Sequence, residues 1–504
     1  MGQEINQETL LSALEDGGAG DPAIIVADGP RLSYAALRAQ VRRLADRLAE
    51  HGLGRQDRVA MVFPNGAEAI VGFLGASVAA IAAPLNPSYT EDEFRFYLDD
   101  TGAKALIVPP GGAPAARRAA PADTIVIEMA VDTSGELQLD SAAPREIGRT
   151  ATEPTSDDVA LVLHTSGTTS RPKRVPLTHG NLTTSLGNIV ATYALEPSDV
   201  SLCVMPLFHV HGLMASTMAT FRSGGTVVVP PRFNPLSFWP LAKEYRATWY
   251  SAVPTIHQLL LARGGSERPA GTESLRFIRS CSSALAPATM QQLESRFGAP
   301  VLEAYGMTEA SHQMASNPLP PAPRIPGTVG RGTGVGIGVM DDQGALLPAG
   351  STGEVVIQGP NVTHGYENNP EANASAFTNG WFRTGDQGVL DDAGYLTLLG
   401  RLKELINRGG EKISPREIDE VLLTHPAVAE AVCFGTPHPV WGEEVAVAVV
   451  LRGDATEAEL QRHCREQLAE FKVPKKVFVV DAIPRTATGK VQRRHVAAAF
   501  GGPR

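Results

Sequence analysis

The residues from Thr165 to Lys173 have the types and spacing of a loop that binds phosphate. Five positions carry small or hydroxylated side chains: Thr165, Ser166, Gly167, Thr168 and Thr169. Such residues let the backbone turn tightly and aim several N–H groups at one point, while their hydroxyls add donors. Lys173 then adds a positive charge. The run does not fit the Gly-x-x-x-x-Gly-Lys-[Ser/Thr] pattern, and a plain linker can have the same composition. The apolar run before it and the lysine at its end favour phosphate.

A second polar group follows Val301–Ala304, which is typical of a buried strand. In Tyr305-Gly-Met-Thr-Glu309 the tyrosine could stack on a base, and Thr308 could bond to a phosphate. Glu309 is a hard oxygen ligand that suits Mg²⁺. Ligands collect at the end of a strand in an α/β unit. The alternative is an ordinary strand–turn–helix in which Thr308 only caps the helix.

Two further residues suit the other parts of a nucleotide. Asp386 follows a glycine, and a carboxylate there can accept hydrogen bonds from two vicinal hydroxyls, which is how ribose is usually held. A turn aspartate can also bond only to its own backbone. Lys490 ends the run Pro484-Arg-Thr-Ala-Thr-Gly-Lys490. Taken alone, a lysine in such a turn faces solvent.

The segments around these motifs alternate between helical and strand patterns up to about residue 320. Val159–Leu163 predicts a buried strand, and Thr178 with Asn181 marks the start of a helix. Residues 30–52 repeat leucine and valine at helical spacing, and Ala67–Ala82 is apolar enough for a buried helix. This alternation predicts an α/β protein with layers of helices on parallel sheets.

The pattern changes after the proline cluster Pro318–Pro326. Short strand patterns with glycine turns then predict a small β-rich subdomain that ends near residue 400. Helical and strand patterns return from Glu404 and are long enough for a separate small domain. We therefore expect a large N-terminal domain (1–400) that includes the β-rich subdomain, and a small C-terminal α+β domain (405–504). Pro109–Pro121 is expected to be a surface loop.

The composition is that of a globular protein, with 504 residues, 43% hydrophobic and 19% charged. A net charge of −10 argues against nucleic acid as a general partner. The four cysteines are scattered, which predicts reduced thiols and no zinc site. No run approaches the roughly 18 apolar residues of a membrane span, and the acidic N-terminus does not resemble a signal peptide. We expect a cytoplasmic protein.

Together these motifs resemble those of the adenylate-forming superfamily, which contains acyl-CoA synthetases, luciferases and the adenylation domains of peptide synthetases. The four motifs occur in the family's order, and the resemblance covers residues 30–495. It implies the substrates ATP, a carboxylic acid and coenzyme A, with Mg²⁺ held by Glu309. The positions that it implies for ATP and AMP are Thr165, Ser166, Gly167, Thr168, Thr169, Lys173, Ser283, Ala284, Tyr305, Thr308, Asp386, Arg401 and Lys490.

The same resemblance implies a reaction in two halves. A carboxylate oxygen attacks the α-phosphate of ATP and pyrophosphate leaves. A thiol then attacks the acyl carbon and AMP leaves. The residues implied as catalytic are Lys490, Thr308 and His209, of which Lys490 stabilises charge as the acyl-adenylate forms.

The two halves need different groups at one site, so the small domain is expected to rotate between them. The implied hinge is 401–404, with Lys403 as its pivot. Rotation would remove Lys490 and bring up the residues implied for coenzyme A, which are Gly409, Gly410 and Lys412.

The chain departs from the family at Arg174, where the family usually has glycine after the loop lysine. An extra guanidinium beside ATP could contact a phosphate or crowd the loop.

The acid site resembles a narrower branch, the oxalate–CoA ligases, in stretches such as Leu207–Leu213 and Leu275–Ser282. By that resemblance His209, Ser282 and His312 hold the second carboxylate. A dianion needs charge-assisted donors, which a histidinium or a hydroxyl supplies. The lining is polar for a lipid site, where unpaired buried groups would each cost about 1–3 kcal/mol.

Other acids stay open at this point. Malonyl-CoA synthetases share the His-Val-His-Gly signature, and medium-chain or long-chain acyl-CoA and 4-coumarate-type synthetases share the framework. We expect His211 and His257 to be structural histidines with satisfied hydrogen bonds.

The expected acceptor is free coenzyme A, because no carrier or condensation domain follows residue 504. A carrier protein is therefore not expected as a partner. From Phe471 onward there are eight Lys or Arg residues against one acid. That basic segment suits the phosphates of coenzyme A, although a solvated charged face is the commoner explanation.

Two other classes of function stay open. Luciferase-like oxygenation uses the same adenylate, but nothing in the sequence indicates a luciferin pocket. The chain could also be a non-catalytic nucleotide-binding homologue. The presence of Lys490, Glu309 and Asp386 together argues for an active ligase.

Overall fold

The computed structural model describes residues 8–165, 172–263, 267–485 and 491–501. The predictions for Ser166, Gly167, Thr168, Thr169 and Lys490 lie outside the described residues.

The first part of the chain alternates strands and helices. Its elements are β1 (Pro22–Val26), β2 (Arg31–Ser33), α1 (Tyr34–Glu50), β3 (Arg58–Met61), α2 (Ala67–Ala79), β4 (Ile81–Pro84), α3 (Glu91–Thr101), β5 (Ala103–Val108), α4 (Pro114–Ala119), β6 (Ile125–Val131), β7 (Leu137–Ser141), β8 (Val159–Thr165), β9 (Lys173–Thr178) and α5 (His179–Tyr193).

A second α/β part follows. Its elements are β10 (Val200–Leu202), a π-helical segment (His211–Met218), α6 (Ala219–Arg222), β11 (Thr226–Val229), α7 (Phe238–Glu244), β12 (Trp249–Ala252), α8 (Pro254–Arg263), β13 (Phe277–Ser280), α9 (Pro287–Phe297), β14 (Val301–Met307), β15 (His312–Ser316) and β16 (Arg331–Gly332).

The remaining elements form a β-rich part and a C-terminal part. They are β17 (Gly336–Met340), β18 (Thr352–Gln358), α10 (Pro370–Ala376), β19 (Phe377–Thr378), β20 (Trp381–Leu390), β21 (Leu396–Arg401), β22 (Ile406–Arg408), β23 (Glu411–Ile413), α11 (Pro415–Leu423), β24 (Val428–His438), β25 (Gly442–Leu451), α12 (Glu457–Arg465), β26 (Lys476–Val479) and α13 (Arg493–Phe500).

The described strands form four sheets. Nine strands follow the order β16-β15-β14-β13-β12-β10-β11-β1-β2, and the neighbours from β14 to β1 are all parallel. Seven strands follow the order β7-β6-β5-β3-β4-β8-β9, with antiparallel strands at both edges. The predicted α/β layers on parallel sheets are therefore confirmed.

The other two sheets match the predicted change of pattern. Strands β17 to β21 form an antiparallel five-stranded sheet. Strands β22 to β26 form a separate five-stranded sheet with helices, as expected for an α+β part. A 3₁₀ turn, Leu402–Glu404, joins the two sheets at the predicted hinge. The domain boundaries and the rotation stay predictions.

The helices form where capping and apolar spacing coincide. Thr178 and Asn181 make a reciprocal capping box at the start of α5, as predicted. Helix α1 buries leucines and valine at helical spacing against α2, which is buried along its whole length. Gly75 permits this contact, because a Cβ there would lie 2.7 Å from the side chain of Leu44.

Two local predictions were wrong, and one alternative does not apply. Pro109–Pro121 is not only a loop, because α4 forms within it and buries Ala116 against a small apolar cluster. The predicted helix Ala67–Ala82 ends at Ala79, since the chain turns there into the buried strand β4. The alternative of an ordinary strand–turn–helix at Thr308 does not apply, because a 3₁₀ turn there returns the chain as the antiparallel strand β15.

Two absences concern the described residues only. The four cysteines, Cys203, Cys281, Cys433 and Cys464, are buried and form no disulfide. Within the described ranges, no helix combines the length and the apolar character needed to cross a membrane.

Candidate active site

The predicted site residues gather at one edge of the nine-stranded sheet. Strands β10, β12, β13 and β14 run parallel, so their carboxyl ends meet at the same edge. A crevice at this edge is where open α/β sheets bind ligands. His209 follows β10, Ser282 follows β13, and Tyr305 lies near the end of β14. The hairpin of β14 and β15 brings His312 back opposite Met307.

At one end of the crevice, residues predicted to bind the nucleotide come together from two different sheets. The Tyr305 hydroxyl donates to Oδ2 of Asp386, and Nε of Arg401 lies 2.7 Å from the other carboxylate oxygen. Asp386 and Arg401 are cross-strand neighbours on β20 and β21, which places both beside Tyr305. Burial and the nearby Asp386 carboxylate hold the pKa of Tyr305 well above its ordinary value. A paired aspartate and a buried ring suit the ribose and the base of a nucleotide.

Next to this group, Tyr366 contacts both Lys173 and Glu309. The Lys173 ammonium lies 4.3 Å from the centre of the Tyr366 ring, and the Tyr366 hydroxyl donates to Oε1 of Glu309 (2.8 Å). Burial raises the pKa of Glu309, while Arg401 and Lys173 oppose that shift. Burial lowers the pKa of Lys173, and the charge of Lys403 lowers it further. The predicted phosphate lysine, metal ligand and hinge lysine therefore share one electrostatic environment.

Thr308 begins the 3₁₀ turn that carries Glu309, and both residues are buried. In the described part of the chain, no three His, Cys, Asp or Glu side chains cluster closely enough to hold a metal ion. A single carboxylate fits Mg²⁺ that arrives with nucleotide phosphates, because Mg²⁺ is usually bound by one or two carboxylates plus phosphate oxygens.

Arg174 does not share the face of Lys173. The two residues are adjacent on β9, and side chains alternate across a strand. The Arg174 guanidinium donates to the backbone carbonyl of Asp100 and lies 3.4 Å from a carboxylate oxygen of Glu367. His164, which is paired with Arg174 across the hairpin, also lies against Asp100 (2.9 Å). The expectation that Arg174 adds a phosphate contact or crowds the loop is therefore not supported by these contacts.

Ser283 and Ala284 are exposed in the segment that leaves β13. Ser282 adopts a left-handed conformation (φ 71°), which turns the chain sharply at this point. The segment is held at Leu285, whose backbone N–H donates to the buried carboxylate of Glu303 (2.9 Å). Burial raises the pKa of Glu303 to about 7.

The three residues predicted for the acid lie together at the other end of the crevice. Nδ1 of His211 is 2.9 Å from Oγ of Ser282, and the ring centres of His211 and His312 are 5.3 Å apart. The backbone N–H of His211 donates to Nδ1 of His209 (3.2 Å). His211 therefore connects the predicted acid residues, which exceeds the structural role expected for it.

His257 also lies on this side of the crevice. It is fully buried, and burial lowers its pKa to about 4. Its Nδ1 is 3.4 Å from the Tyr250 hydroxyl, and hydrogen bonds with the backbone at Ala252 and Arg279 oppose that shift. The structural role expected for His257 stays a prediction.

The sequence places Arg279 and Ser251 only within longer stretches expected to line the acid pocket, and the structure puts both directly behind the acid residues. Arg279 is completely buried and donates to Ser251 Oγ (3.0 Å) and to Nδ1 of His312 (3.3 Å). The signal that could have found it is an arginine within the strand Phe277–Ser280. Its other residues are all buried, and charged residues are rarely buried without a partner.

The burial of Arg279 and the histidines decides which of them carry charge. Burial and the Arg279 charge hold the pKa values of His211 and His312 well below the ordinary range. Both imidazoles are therefore neutral near pH 7. Of the two kinds of donor expected here, a histidinium or a hydroxyl, the low pKa argues against a histidinium at His312, and the positive charge beside the site is the Arg279 guanidinium.

The residues predicted for coenzyme A lie at the exposed turn between β22 and β23. Gly409 and Gly410 have positive φ angles of 61° and 97°, which glycine adopts readily. A Cβ at Gly409 would lie 2.8 Å from the Trp441 ring, so the turn packs against its own part of the chain. Lys412 is exposed. The described contacts do not bring this turn to the crevice.

A cavity of about 1120 Å³ lies between the N-terminal and the C-terminal parts. Phe208 and Ala286, which flank the acid residues in the chain, line one wall. Glu420 and Arg485 line the other. The cavity is therefore bounded by both parts of the chain.

Comparison with known proteins finds matching families and relatives along nearly the whole chain. The AMP-binding enzyme family matches residues 15–367, and the AMP-binding enzyme C-terminal domain matches residues 417–490. The oxalate–CoA ligase of Arabidopsis thaliana is 48% identical over 510 residues, covering 98% of this chain and 99% of that protein. The oxalate–CoA ligase of Saccharomyces cerevisiae is 50% identical over 476 residues, covering 88% and 87%. ATP-bound MatB from Rhodopseudomonas palustris has a TM-score of 0.88 at 33% identity, covering 98% and 99%.

Proposed function

This chain belongs to the AMP-binding enzyme family and is an AMP-forming acid–CoA ligase, and we propose that the acid it activates is oxalate. The observation that carries the proposal is the small polar group formed by His209, Ser282 and His312 beside a buried arginine. A long apolar chain in this position would leave buried donors unpaired, at about 1–3 kcal/mol each. A short dianion pairs with them. Two relatives that are about half identical carry the name oxalate–CoA ligase.

In this proposal ATP lies along the other end of the crevice. Asp386 accepts the ribose hydroxyls, the Tyr305 ring stacks against the base, and Lys173 contacts a phosphate. Thr308 and the predicted loop at Thr165 add further phosphate contacts. Mg²⁺, which Glu309 would help to hold, neutralises phosphate charge when bound.

The first half-reaction joins the two ends of the crevice. The donors at Ser282 and His312 hold the distal carboxylate of oxalate, so the other carboxylate faces the nucleotide end. One of its oxygens attacks the α-phosphorus, the bond to the β-phosphate oxygen breaks, and pyrophosphate leaves. His209, beside His211 at the acid end, would orient the attacking carboxylate. Lys490, by family resemblance, stabilises the charge that develops.

The second half-reaction transfers the oxalyl group to sulfur. The coenzyme A thiol loses its proton, the sulfur attacks the activated carbonyl carbon, and AMP leaves with its phosphate oxygen. In this proposal the C-terminal part turns about Lys403 before that step, so that Gly409, Gly410 and Lys412 line the path of the pantetheine arm. The cavity between the two parts would give the arm room to enter.

The test is AMP formation with Mg·ATP and coenzyme A on oxalate, malonate, acetate, hexanoate and coumarate side by side. We expect oxalate to have the highest kcat/KM by about tenfold or more. Acetate lacks the second carboxylate that would pair with the donors, and hexanoate would leave the buried donors without hydrogen-bond partners. A higher value for hexanoate or coumarate would disprove the assignment of the acid and leave the ligase class intact. As a control, Lys490→Ala should retain ATP binding and lose oxalate-dependent pyrophosphate release.

A further inference from the structure

Arg279 is a buried cation without a carboxylate partner. Its side chain is 0% exposed, and among the described residues the groups that act on its charge are Tyr193 and Cys281, with no Asp or Glu carboxylate. Instead the guanidinium donates to neutral acceptors. These are the hydroxyl of Tyr193 (2.8 Å), Oγ of Ser251 (3.0 Å), Oε1 of Gln313 (3.0 Å) and Nδ1 of His312 (3.3 Å). A buried charge is costly unless it is paired, so a fully buried arginine bound only to neutral groups calls for an anion nearby.

The contact with His312 fixes the position of its proton. A guanidinium only donates, so Nδ1 of His312 must accept and carry no proton. In a neutral imidazole the proton then lies on Nε2. No described hydrogen bond uses Nε2 of His312. Arg279 therefore fixes the tautomer in which His312 can donate a hydrogen bond through Nε2.

A second chain of contacts runs from Arg279 to Ser282. Ser251 accepts from Nη1 of Arg279 (3.0 Å), which leaves its hydroxyl proton available for Nε2 of His211, 2.6 Å away. His211 then keeps its proton on Nδ1 and donates it to Ser282 Oγ (2.9 Å). The hydroxyl proton of Ser282 is left to point into the crevice.

The strands explain why one side chain can direct both donors. Arg279 and Ser251 are register partners on the parallel strands β13 and β12, so their side chains leave the same face of the sheet. The β14–β15 hairpin returns His312 to the same place, since Met307 pairs with His312 and Gly306 with Gln313. Three strands thus converge on one guanidinium.

We propose that Arg279 is the positioning residue that makes this site select a doubly charged acid. It directs Ser282 and His312 as donors toward the distal carboxylate and supplies the permanent positive charge that this carboxylate faces. An arginine keeps its charge throughout the range of a working enzyme, and a neutral-ended acid gives that charge no partner. The inference deepens the proposed function and rests on it for the identity of the acid.

The test compares oxalate with oxamate, which has the same shape but carries an amide in place of one carboxylate. In the wild-type enzyme we expect oxalate to be preferred. In Arg279→Met we expect kcat/KM for oxalate to fall about a hundredfold or more, mainly through KM, and kcat/KM for oxamate to fall only a few fold. Arg279→Lys, which keeps the charge without the forked donors, should recover part of the preference for oxalate.

Two variants separate this role from simple structural support. Tyr193→Phe removes the hydroxyl that accepts from Nε of Arg279 and leaves the contacts with Ser251 and His312 in place. It should therefore lower the unfolding temperature and leave the oxalate-to-oxamate ratio unchanged. Ser251→Ala interrupts only the chain to Ser282 and should lower the ratio by about tenfold. It remains informative even where Arg279→Met does not fold.

The wild-type pH profile provides a further check that needs no variant. Around His211 and His312 the other titratable groups are Arg279, Cys281, Tyr193, His209 and His257. If the guanidinium supplies the charge, KM for oxalate stays flat between about pH 6 and pH 8. A KM that rises through this range as an imidazole deprotonates would overturn the proposal.

The outcomes separate the two claims. Equal losses for oxalate and oxamate in Arg279→Met, or an unchanged ratio in Ser251→Ala, overturn the role of Arg279 while oxalate remains the substrate. A wild-type enzyme that does not prefer oxalate over the other acids overturns the proposed function itself.

Discussion

Lys173 and Arg174 are adjacent cations on β9 with opposite surroundings. The lysine lies over Tyr366 beside Glu309, where the nucleotide phosphates are expected, and the arginine is held by Asp100 and Glu367 on the other face. The alternation of side chains along a strand therefore separates a cation that can reach ATP from one that fixes the hairpin.

We predict that replacing Arg174 affects stability and leaves ATP binding largely unchanged. Arg174→Met removes the contacts with Asp100 and Glu367, so the unfolding temperature should fall, by an amount equivalent to about 1–3 kcal/mol. Arg174→Gly should lower it further, because glycine weakens a strand by about 0.5–1 kcal/mol. The KM for ATP should stay within about twofold in both variants. A tenfold change in that KM, measured by pyrophosphate release, would contradict this assignment.

At the scale of strands and helices, the sequence predicts the elements that carry the motifs better than it predicts which distant elements pack against them. Runs such as Val159–Leu163 and the capping pair at Thr178 predict their elements correctly, because local periodicity and capping decide them. The strand β15 was missed, since the turn at Thr308 looks like the start of a helix. That hairpin is what brings His312 to Arg279, so the contact between these two residues is visible only in the tertiary structure.

The segment that follows β13 also depends on a distant residue. Glu303 on β14 accepts the backbone N–H of Leu285 and so fixes the turn that carries Ser282. Its other carboxylate oxygen, Oε2, has no hydrogen-bond partner among the described residues. Of the charged groups around it, Arg416 on α11 lowers its pKa, but burial dominates and raises the pKa to about 7.

This raised pKa predicts a pH-dependent gain in stability for Glu303→Gln. Between the ordinary value near 4.5 and about 7, the unfolded chain loses the proton while the folded chain keeps it. The carboxyl group therefore makes the wild type less stable as pH rises through that window. Glutamine can still accept from Leu285 and does not ionise. The advantage of the variant over wild type should grow from pH 5 to pH 8 by up to about 3 kcal/mol.

The measurement is the thermal unfolding midpoint of both proteins at pH 5 and pH 8. Glu294→Gln is a matched control, because that carboxylate also accepts a backbone N–H, from Val301 (2.8 Å), but is partly exposed and paired with Arg324. The control should differ from wild type by the same amount at both pH values. If Glu303→Gln behaves like the control, the carboxyl is ionised throughout and this account is wrong.

At the scale of the whole molecule, the described contacts next to the hinge between the C-terminal part and the rest are the turn Leu402–Glu404 and a few hydrogen bonds. No described sheet contains strands from both sides of Leu402–Glu404. Near the turn, Arg416 donates to the backbone carbonyl of Leu398 (2.8 Å), and Ser414 donates to that of Leu399. These contacts tie α11 to β21 without a shared sheet, as a part that turns would require.

Lys403→Pro should therefore separate the two half-reactions. Proline fixes φ near −65°, so a pivot residue could no longer take up the change in backbone angle that rotation needs. Oxalate-dependent pyrophosphate release in the first turnover should persist within about tenfold, while transfer to coenzyme A should fall by about a hundredfold or more. The loss of one positive charge near Lys173 must be separated from this effect. Lys403→Ala does so, because it removes the charge and leaves the backbone free, and it should transfer the acyl group at close to the wild-type rate. Equal loss of both half-reactions in Lys403→Pro, or equal behaviour of the two variants, would show that this turn is not the pivot.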